Sequence, residues 1–172
     1  MARNIEIKAQ VPDLDPIRAR VRSLASSPTE ILEQTDTFFA VPQGRLKVRE
    51  FSDGTGELIS YHRPNQPGPK ESVYTRCGCE HARALAQALG EVLPIRGAVR
   101  KRREVFLVGR TRIHLDDVQN LGLFVELEVV LSDGESAEHG ELVAHELLSG
   151  LGIPTANLIS GAYIDLLEAA PA

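Results

Sequence analysis

The stretch RIHLDDVQNLGLFVELE, residues 112–128, contains two segments in which polar and apolar residues alternate. A period of two is the pattern of a β-strand whose two faces lie in different surroundings. One face of each segment collects charged residues, namely Arg112, His114 and Asp116 in the first segment and Glu126 and Glu128 in the second. The stretch therefore predicts two strands that each present charge on a single face.

The same alternation occurs in three further segments, where the charged face is mainly basic. It places Glu6 beside Lys8 in NIEIKA, Lys47 beside Arg49 in RLKVRE, and Lys101 beside Arg103 in RKRRE. Like charges two residues apart repel, and several such strands side by side are unfavourable unless a ligand lies between them. A polyanion would offset the basic faces, and a divalent cation would offset the acidic ones. The pattern favours a site for a phosphate compound together with a metal ion.

Each charged face also has a simpler interpretation. Glu126 and Glu128 could face water, residues 100–103 could be a solvated patch or contact nucleic acid, and His114 could be structural. The combination of basic and acidic faces in one chain is more specific than any of its members, so the two-ligand site is preferred.

Turn residues and hydrophobic spacing divide the chain into about eight strands and three or four helices. The strands are predicted at 4–9, 30–40, 45–50, 57–64, 71–79, 100–108, 111–115 and 123–131, and the helices at 14–25, 80–90, 135–150 and 160–168. Short turns join most successive strands, which predicts antiparallel pairing and an α+β fold. No repeat or linker interrupts the sequence, so residues 1–172 are expected to form a single domain.

The composition excludes several classes of protein. No apolar run approaches the ~18 residues needed to span a membrane, and the charged N-terminus MARNIEIKAQ is unlike a signal peptide. A cytoplasmic protein without membrane contact is therefore expected. Cys77 and Cys79 have a poor spacing for a disulfide or a zinc site and are expected to be incidental thiols. The sequence also lacks the P-loop, GxGxxG, HExxH and GxSxG motifs.

Positive and negative charges are unevenly distributed along the chain. Residues 44–112 hold 14 of the 19 Lys and Arg, whereas residues 113–172 hold 11 acidic residues and no Lys or Arg. One part could attract an anion while the other holds a cation, or the two parts could neutralise each other. The acidic last third argues against nucleic-acid binding, because it would repel a phosphate backbone.

At these residues the chain resembles the CYTH superfamily, which includes class IV adenylyl cyclases and thiamine-triphosphatases. Residues 112–128 are similar to the family's most recognisable segment, and NIEIK at 4–8 is similar to its N-terminal E-x-E-x-K strand, with Asn4 in place of the first Glu. RLKVRE at 45–50, KRRE at 101–104 and SGAYIDLL at 160–167 complete the resemblance. It implies a closed eight-stranded antiparallel β-barrel, called the triphosphate tunnel, with a few flanking helices.

The resemblance also implies roles for individual residues. The metal ligands would be Glu6, Glu126 and Glu128 with Asp116, and the ion would be Mg²⁺ or Mn²⁺. The triphosphate would be held by Lys8, Lys47, Arg49, Lys101, Arg103 and Arg112, with Arg63, Lys70 and His62 as weaker candidates. His114 would orient a phosphate or the nucleophile, so that the catalytic set is Glu6, Lys8, His114, Glu126 and Glu128.

Three functions are compatible with such a site. The preferred one is an adenylyl cyclase that converts ATP to cyclic AMP and pyrophosphate. The second is a triphosphatase that hydrolyses inorganic, thiamine or nucleoside triphosphate, and the third is a non-catalytic module that binds polyphosphate or a nucleotide. Asn4 supports the third, because its amide lacks the charge of a carboxylate. A homodimer is expected if the barrel leaves an open strand edge.

Overall fold

Eight β-strands close into an antiparallel barrel in the computed structural model, which describes residues 2–170. Around the barrel they follow the order β1-β5-β4-β3-β2-β6-β7-β8, and β8 pairs again with β1. The strands are β1 (Ala2–Val11), β2 (Glu30–Phe39), β3 (Arg45–Phe51), β4 (Gly56–His62), β5 (Lys70–Cys79), β6 (Ile95–Val108), β7 (Thr111–Val118) and β8 (Gly122–Val130). The predicted α+β class and closed eight-stranded barrel are confirmed.

Within the same residues, four α-helices accompany the barrel. They are α1 (Asp15–Leu24), α2 (Ala82–Gly90), α3 (Ala137–Gly150) and α4 (Tyr163–Ala169), with a short 3-10 turn at Thr155–Asn157. Ser136 precedes α3, and its hydroxyl accepts a hydrogen bond from the backbone N–H of His139. Such a cap satisfies one of the free N–H groups at a helix start. All four helices fall where the sequence predicts them.

Several strands run further than the sequence indicates, and β6 and β7 are extended most at a single end. β6 begins five residues earlier than predicted, at Ile95, because it pairs with β2 along the whole of that strand. β7 ends three residues later, at Val118, since the adjacent acids Asp116 and Asp117 conceal the alternation. Pairing with a neighbouring strand extends both, and that neighbour is invisible in a local pattern.

The barrel is apolar on the outside of β1 and β8, where α3 covers it. Ile5 and Ile7 of β1 are fully buried there, together with Leu127 of β8. Helix α3 approaches closely, because a Cβ atom at Gly140 would lie 2.6 Å from Ile5 Cγ1. Burial of such apolar surface contributes about 25 cal/mol per Å². The alternate residues of these strands therefore face inward, and they are the charged ones.

The segment before α4 closes one end of the barrel. The Ile159 N–H donates to the carbonyl of Lys8 at 3.0 Å, and Leu158 forms a β-bridge with Ala9. Tyr163 follows, and its ring packs edge-on against Phe124 with centroids 4.9 Å apart. The opposite end, where β2 begins, opens to solvent.

No helix within residues 2–170 is long and apolar enough to cross a membrane. Because the barrel closes, its eight described strands leave no unpaired edge for a second copy. The homodimer therefore stays a prediction without that structural support.

Candidate functional site

A cavity of about 550 Å³ occupies the inside of the barrel. Eleven of the residues predicted for the site line it: Glu6, Lys8, Lys47, Arg49, Arg63, Lys101, Arg103, Arg112, His114, Glu126 and Glu128. They come from β1, β3, β6, β7 and β8, with Arg63 directly after β4. The alternation in the sequence therefore indicates the inward face of most of the wall.

Strand register explains why these residues meet. On β1 and β8, Glu6 pairs with Glu128 and Lys8 pairs with Glu126. On the other side of β8, His114 of β7 pairs with Glu126. Directly paired residues of antiparallel strands project to the same face, with Cβ atoms about 5 Å apart. The three strands thus form one continuous polar wall.

Three other residues predicted for the site, Lys70, Asp116 and His62, do not line the cavity. The ammonium of Lys70 donates to the carbonyls of Gln66 at 3.0 Å and Ile159 at 3.4 Å, beside the closed end. Asp116 is buried below the cavity floor, and His62 is exposed on the outer face of β4. Alternation indicates which face a side chain occupies, but it does not give depth along the tunnel.

Asp116 is fully engaged by its neighbours. Arg103 donates to both carboxylate oxygens at 2.7 and 2.6 Å, and the hydroxyl of Tyr163 donates at 2.8 Å. Burial alone would raise the pKa of Asp116, but Arg103 and Lys101 outweigh it and hold the pKa below its usual range. A carboxylate bound in this way orients Arg103, and its position does not support the metal role that was predicted for it.

Asp36 of β2 is a second buried carboxylate of this kind, and it is absent from the predicted site. It accepts hydrogen bonds from Lys47 Nζ at 2.6 Å and Arg49 Nε at 2.8 Å, and it lies 4.0 Å from Lys101. Burial opposes its ionisation, yet Arg49, Lys47 and Lys101 hold its pKa well below the usual range. The sequence signal is weak because EQTDT, residues 33–37, is polar throughout, so its inward face cannot be distinguished.

His114, Glu126 and Glu128 form a cluster that we call the carboxylate–histidine cluster. One ligand atom from each lies within 4.8 Å of the other two. His114 Nδ1 is 3.8 Å from Glu126 and 3.9 Å from Glu128, and it has no hydrogen-bond partner although the residue is only 4% exposed. Buried polar atoms nearly always have a partner. An unpartnered ring nitrogen facing two carboxylates is the arrangement expected of a cation site.

Both carboxylates of this cluster are ionised near neutral pH. Burial raises the pKa of Glu128, but His114 and Arg112 outweigh it and lower the pKa to about 2. Burial likewise opposes ionisation of Glu126, whose pKa Lys8 and other neighbours hold well below its usual range. Burial lowers the pKa of His114 itself. The imidazole is therefore neutral near neutral pH and can offer a lone pair, and Arg112 is then the main partner of Glu128.

The donor set of the cluster fits a divalent cation. Ligand atoms on opposite sides of Mg²⁺ lie about 4.2 Å apart, so a small side-chain shift would bring all three donors to one ion. Carboxylates suit both Mg²⁺ and Mn²⁺, whereas an imidazole nitrogen is a better ligand for transition metals such as Mn²⁺. A bound cation would also reduce the repulsion between Glu126 and Glu128.

Glu6 and Asn4 face the same cavity from β1. Burial raises the pKa of Glu6, and the neighbouring Glu126 carboxylate raises it further. Arg63 donates to Glu6, and the ammonium of Lys8 lies 3.6 Å from it. Asn4 is buried, and its Oδ1 has no hydrogen-bond partner. A neutral oxygen is thus available where the resemblance leads one to expect a carboxylate.

Two buried lysines have pKa values close to neutrality. Burial, with help from Arg103, lowers the pKa of Lys101 to about 7. Burial and the nearby Arg63 lower the pKa of Lys70 to about 8. A group in this range gains or loses its charge near neutral pH. The charge of the cavity floor, where Lys101 lies, therefore depends on pH.

The open mouth of the cavity is partly apolar. Ile31, Leu32 and Phe51 line it, and Ile31 is 56% exposed. Glu30, Glu33 and Asp53 line it as well, so the entrance combines apolar and acidic side chains. Apolar lining with a few polar groups is common in sites that bind an organic ligand.

A family model described as the CYTH domain matches residues 2–163. The chain belongs to the CYTH domain family. A protein of Methanocaldococcus jannaschii named "Putative adenylate cyclase" is 36% identical over 175 residues, which cover 94% of this chain and 97% of that protein. The family resemblance that residues 112–128 predict is confirmed.

Solved structures share the same fold. A protein of Pyrococcus horikoshii superposes with a TM-score of 0.84 at 22% identity, covering 95% of this chain and 98% of the other. A Hippeastrum protein described as a "putative adenylyl cyclase" with a dominant triphosphatase activity gives a TM-score of 0.66 at 14% identity, covering 98% and 96%. At these identities the similarity shows the fold alone.

Proposed function

We propose that this CYTH protein is a metal-dependent enzyme that acts on the triphosphate chain of a nucleotide inside its barrel. The proposal is carried by the meeting of two unlike walls in one cavity. Cations of β3 and β6, namely Lys47, Arg49, Lys101 and Arg103, line the same cavity as the carboxylate–histidine cluster of β7 and β8. The first wall suits a polyanion and the second suits Mg²⁺ or Mn²⁺, the combination that phosphoryl and nucleotidyl transfer need.

Cyclisation of ATP to cyclic AMP and pyrophosphate is the first candidate reaction. The name of the 36% identical relative supports it. The apolar side chains at the mouth, Ile31, Leu32 and Phe51, support it independently, because a nucleoside would contact them and an inorganic triphosphate would not. The ribose 3′-hydroxyl would then attack the α-phosphorus while the phosphate tail lies deeper in the barrel.

Different side chains would have different roles in this reaction. Lys47, Arg49 and Arg103 would stabilise the charge that develops on the leaving pyrophosphate. The carboxylate–histidine cluster would hold Mg²⁺ or Mn²⁺, which lowers the pKa of a nearby hydroxyl and withdraws charge from phosphate oxygens when bound. Glu6 is the carboxylate best suited to accept the proton of the hydroxyl, because its pKa is raised.

Hydrolysis of a triphosphate is the second candidate. It would use the same walls, with water attacking the terminal phosphorus of inorganic, thiamine or nucleoside triphosphate. The size of the cavity favours it, since about 550 Å³ leaves room for water beside a bound triphosphate. The two reactions differ in which phosphorus lies beside the carboxylate–histidine cluster.

Product identification tests this proposal. The purified protein is incubated with ATP and, separately, with inorganic tripolyphosphate, each with Mn²⁺, with Mg²⁺ or with EDTA. Cyclic AMP and pyrophosphate formed from ATP with metal, and not with EDTA, would support cyclisation. Release of orthophosphate would support hydrolysis instead. Binding of both compounds without any product would support a non-catalytic binding module instead. Absence of binding would contradict a triphosphate site altogether.

A further inference from the structure

The floor of the cavity is a tyrosine that does not belong to the barrel strands. Tyr163, the first residue of α4, is 5% exposed and lines the cavity. The ammonium of Lys8 lies 4.1 Å from the centre of its ring, and that of Lys101 lies 4.8 Å away. Its hydroxyl donates to Asp116, the carboxylate that orients Arg103. One side chain thus contacts two cations directly and a third through Asp116.

The ring is held firmly from behind. Phe124 packs against it at 62° between ring planes. Asp165 accepts a hydrogen bond from the backbone N–H of Ala162 at 2.7 Å, and it also accepts from Arg45 at 2.8 Å and Arg96 at 3.0 Å. These contacts fix the first turn of α4 to β3 and β6. The ring therefore has little freedom to leave the two lysines.

The two ammonium groups beside the ring have free donors. The nearest carboxylate oxygens lie 3.6 Å from Lys8 and 3.7 Å from Lys101, which is beyond hydrogen-bond distance. The face of an aromatic ring attracts a cation without accepting its protons as a carboxylate does. A ring at this place offsets part of the free-energy cost of removing two lysine ammonium groups from water. It also leaves their N–H groups available to an anion.

We propose that Tyr163 is a positioning residue for the triphosphate, whose ring holds Lys8 and Lys101 at the cavity floor with their donors directed at the terminal phosphate. The inference rests on the proposed function and deepens it, because it places the end of the phosphate chain at the closed end and the nucleoside at the mouth. Helix α4 is then part of the binding site and not only a cover.

Calorimetric binding of inorganic tripolyphosphate to the full chain tests the proposal. Tyr163→Leu removes the ring and should raise the Kd about tenfold, in line with the strength of two buried cation–π contacts. Tyr163→Phe keeps the ring and loses only the hydrogen bond to Asp116, so its Kd should stay within about threefold of the parent value. With a substrate that turns over, Tyr163→Leu should raise KM and leave kcat nearly unchanged.

The matched control is Leu167→Ala on the same helix. Leu167 is a partly buried residue of α4 that packs against the apolar cluster around Phe124 and does not line the cavity, so this change loosens the helix without removing the ring. Its Kd should equal that of the parent. Equal weakening in Leu167→Ala and Tyr163→Leu, or unchanged binding in Tyr163→Leu, would overturn the positioning role.

A second measurement needs no disruptive variant. In the folded parent protein, NMR should show the side-chain Hε resonances of Lys8 and Lys101 shifted upfield by the ring of Tyr163, and Tyr163→Phe should preserve the shift. Unshifted resonances would overturn the inference even if Tyr163→Leu fails to fold. If the parent protein does not bind tripolyphosphate, the proposed function fails; if it binds and Tyr163→Leu binds equally, only the role of Tyr163 fails.

Discussion

Three basic side chains of the tunnel are oriented by buried carboxylates that were not expected to have this role. Asp36 holds Lys47 and Arg49, and Asp116 holds Arg103. A buried ion pair adds little net stability, because the desolvation of both groups cancels most of their attraction, whereas removal of one partner is strongly destabilising. The value of these carboxylates is therefore geometric, since they keep long side chains extended toward the cavity before any ligand arrives.

The carboxylate–histidine cluster gives a prediction at the level of single residues. Glu128→Gln keeps the shape of the side chain and removes its charge, so metal-dependent turnover should fall by about a hundredfold or more. Circular dichroism should show an unchanged fold. Asp117→Asn is the matched control, because Asp117 is exposed and projects away from the cavity, and the activity of this variant should equal that of the parent. Parent-like turnover in both Glu128→Gln and Glu126→Gln would exclude the metal assignment.

The lowered pKa of Lys101 gives a second prediction at this scale. With a pKa of about 7, the free protein has lost most of this charge above that pH. A bound polyanion favours the charged form and raises the pKa, so binding takes up a proton and tripolyphosphate affinity should fall about tenfold from pH 7 to 9. Calorimetry in two buffers of different ionisation enthalpy measures the uptake.

Lys101→Met serves as the reference for that titration. Proton exchange by the ligand and by Lys70 persists in this variant, so the difference from the parent isolates Lys101. Identical proton uptake in the two proteins would show that Lys101 is already charged before binding.

At the residue scale, strand alternation predicts the charged side chains that line the cavity, but it does not predict the residues that hold them in place. Glu126 and Glu128 are recognisable because each lies between apolar neighbours. Asp36 lies among polar residues, and Tyr163 lies on a separate helix, so neither shows a local pattern that points to the cavity. Their roles depend on contacts between elements that are far apart in the sequence.

Helix α3 provides a prediction at the scale of elements. Replacing glycine by alanine inside a helix normally stabilises it by about 0.5–1 kcal/mol. At Gly140 the added Cβ would lie 2.6 Å from Ile5 and 2.7 Å from Leu131 side-chain atoms. Gly140→Ala should therefore lower the free energy of unfolding by about 1–3 kcal/mol, as overpacking does. Urea denaturation measures the change.

Gly150→Ala at the end of the same helix is the control. A Cβ atom there meets nothing within 4 Å, so this variant should be as stable as the parent or slightly more stable. A Gly140→Ala protein that matches Gly150→Ala in stability would contradict the close packing of α3 on β1.

Most elements were predictable because most strands and helices show their own hydrophobic period, but their ends and neighbours were not. The extension of β6 to Ile95 follows from pairing with β2, a strand more than fifty residues earlier in the chain. Closure of the barrel requires β1 to pair with both β5 and β8. Local alternation contains no such information, and the closed form was expected through family resemblance alone.

At the scale of the whole molecule, the barrel is apolar outside under its helices and charged inside. An interior of this kind should be more stable when its ligands are bound, because ligands that bind the folded state shift unfolding by mass action. Tripolyphosphate and Mn²⁺ at about 100 times their Kd should together add about 2.7 kcal/mol or more, seen as a raised Tm. In Glu128→Gln the Mn²⁺-dependent part of this increase should disappear. An Mn²⁺-dependent increase equal to that of the parent would show that the ion binds away from Glu128.

The central claim is that one barrel cavity brings a divalent cation and a triphosphate together. The most direct test is a crystal structure grown with Mn²⁺ and tripolyphosphate, with data collected at the manganese absorption edge. The account predicts an anomalous peak between His114 Nδ1, Glu126 and Glu128, with phosphate density extending from it toward Lys8 and Lys101. A manganese peak or phosphate density found only outside the barrel would contradict it.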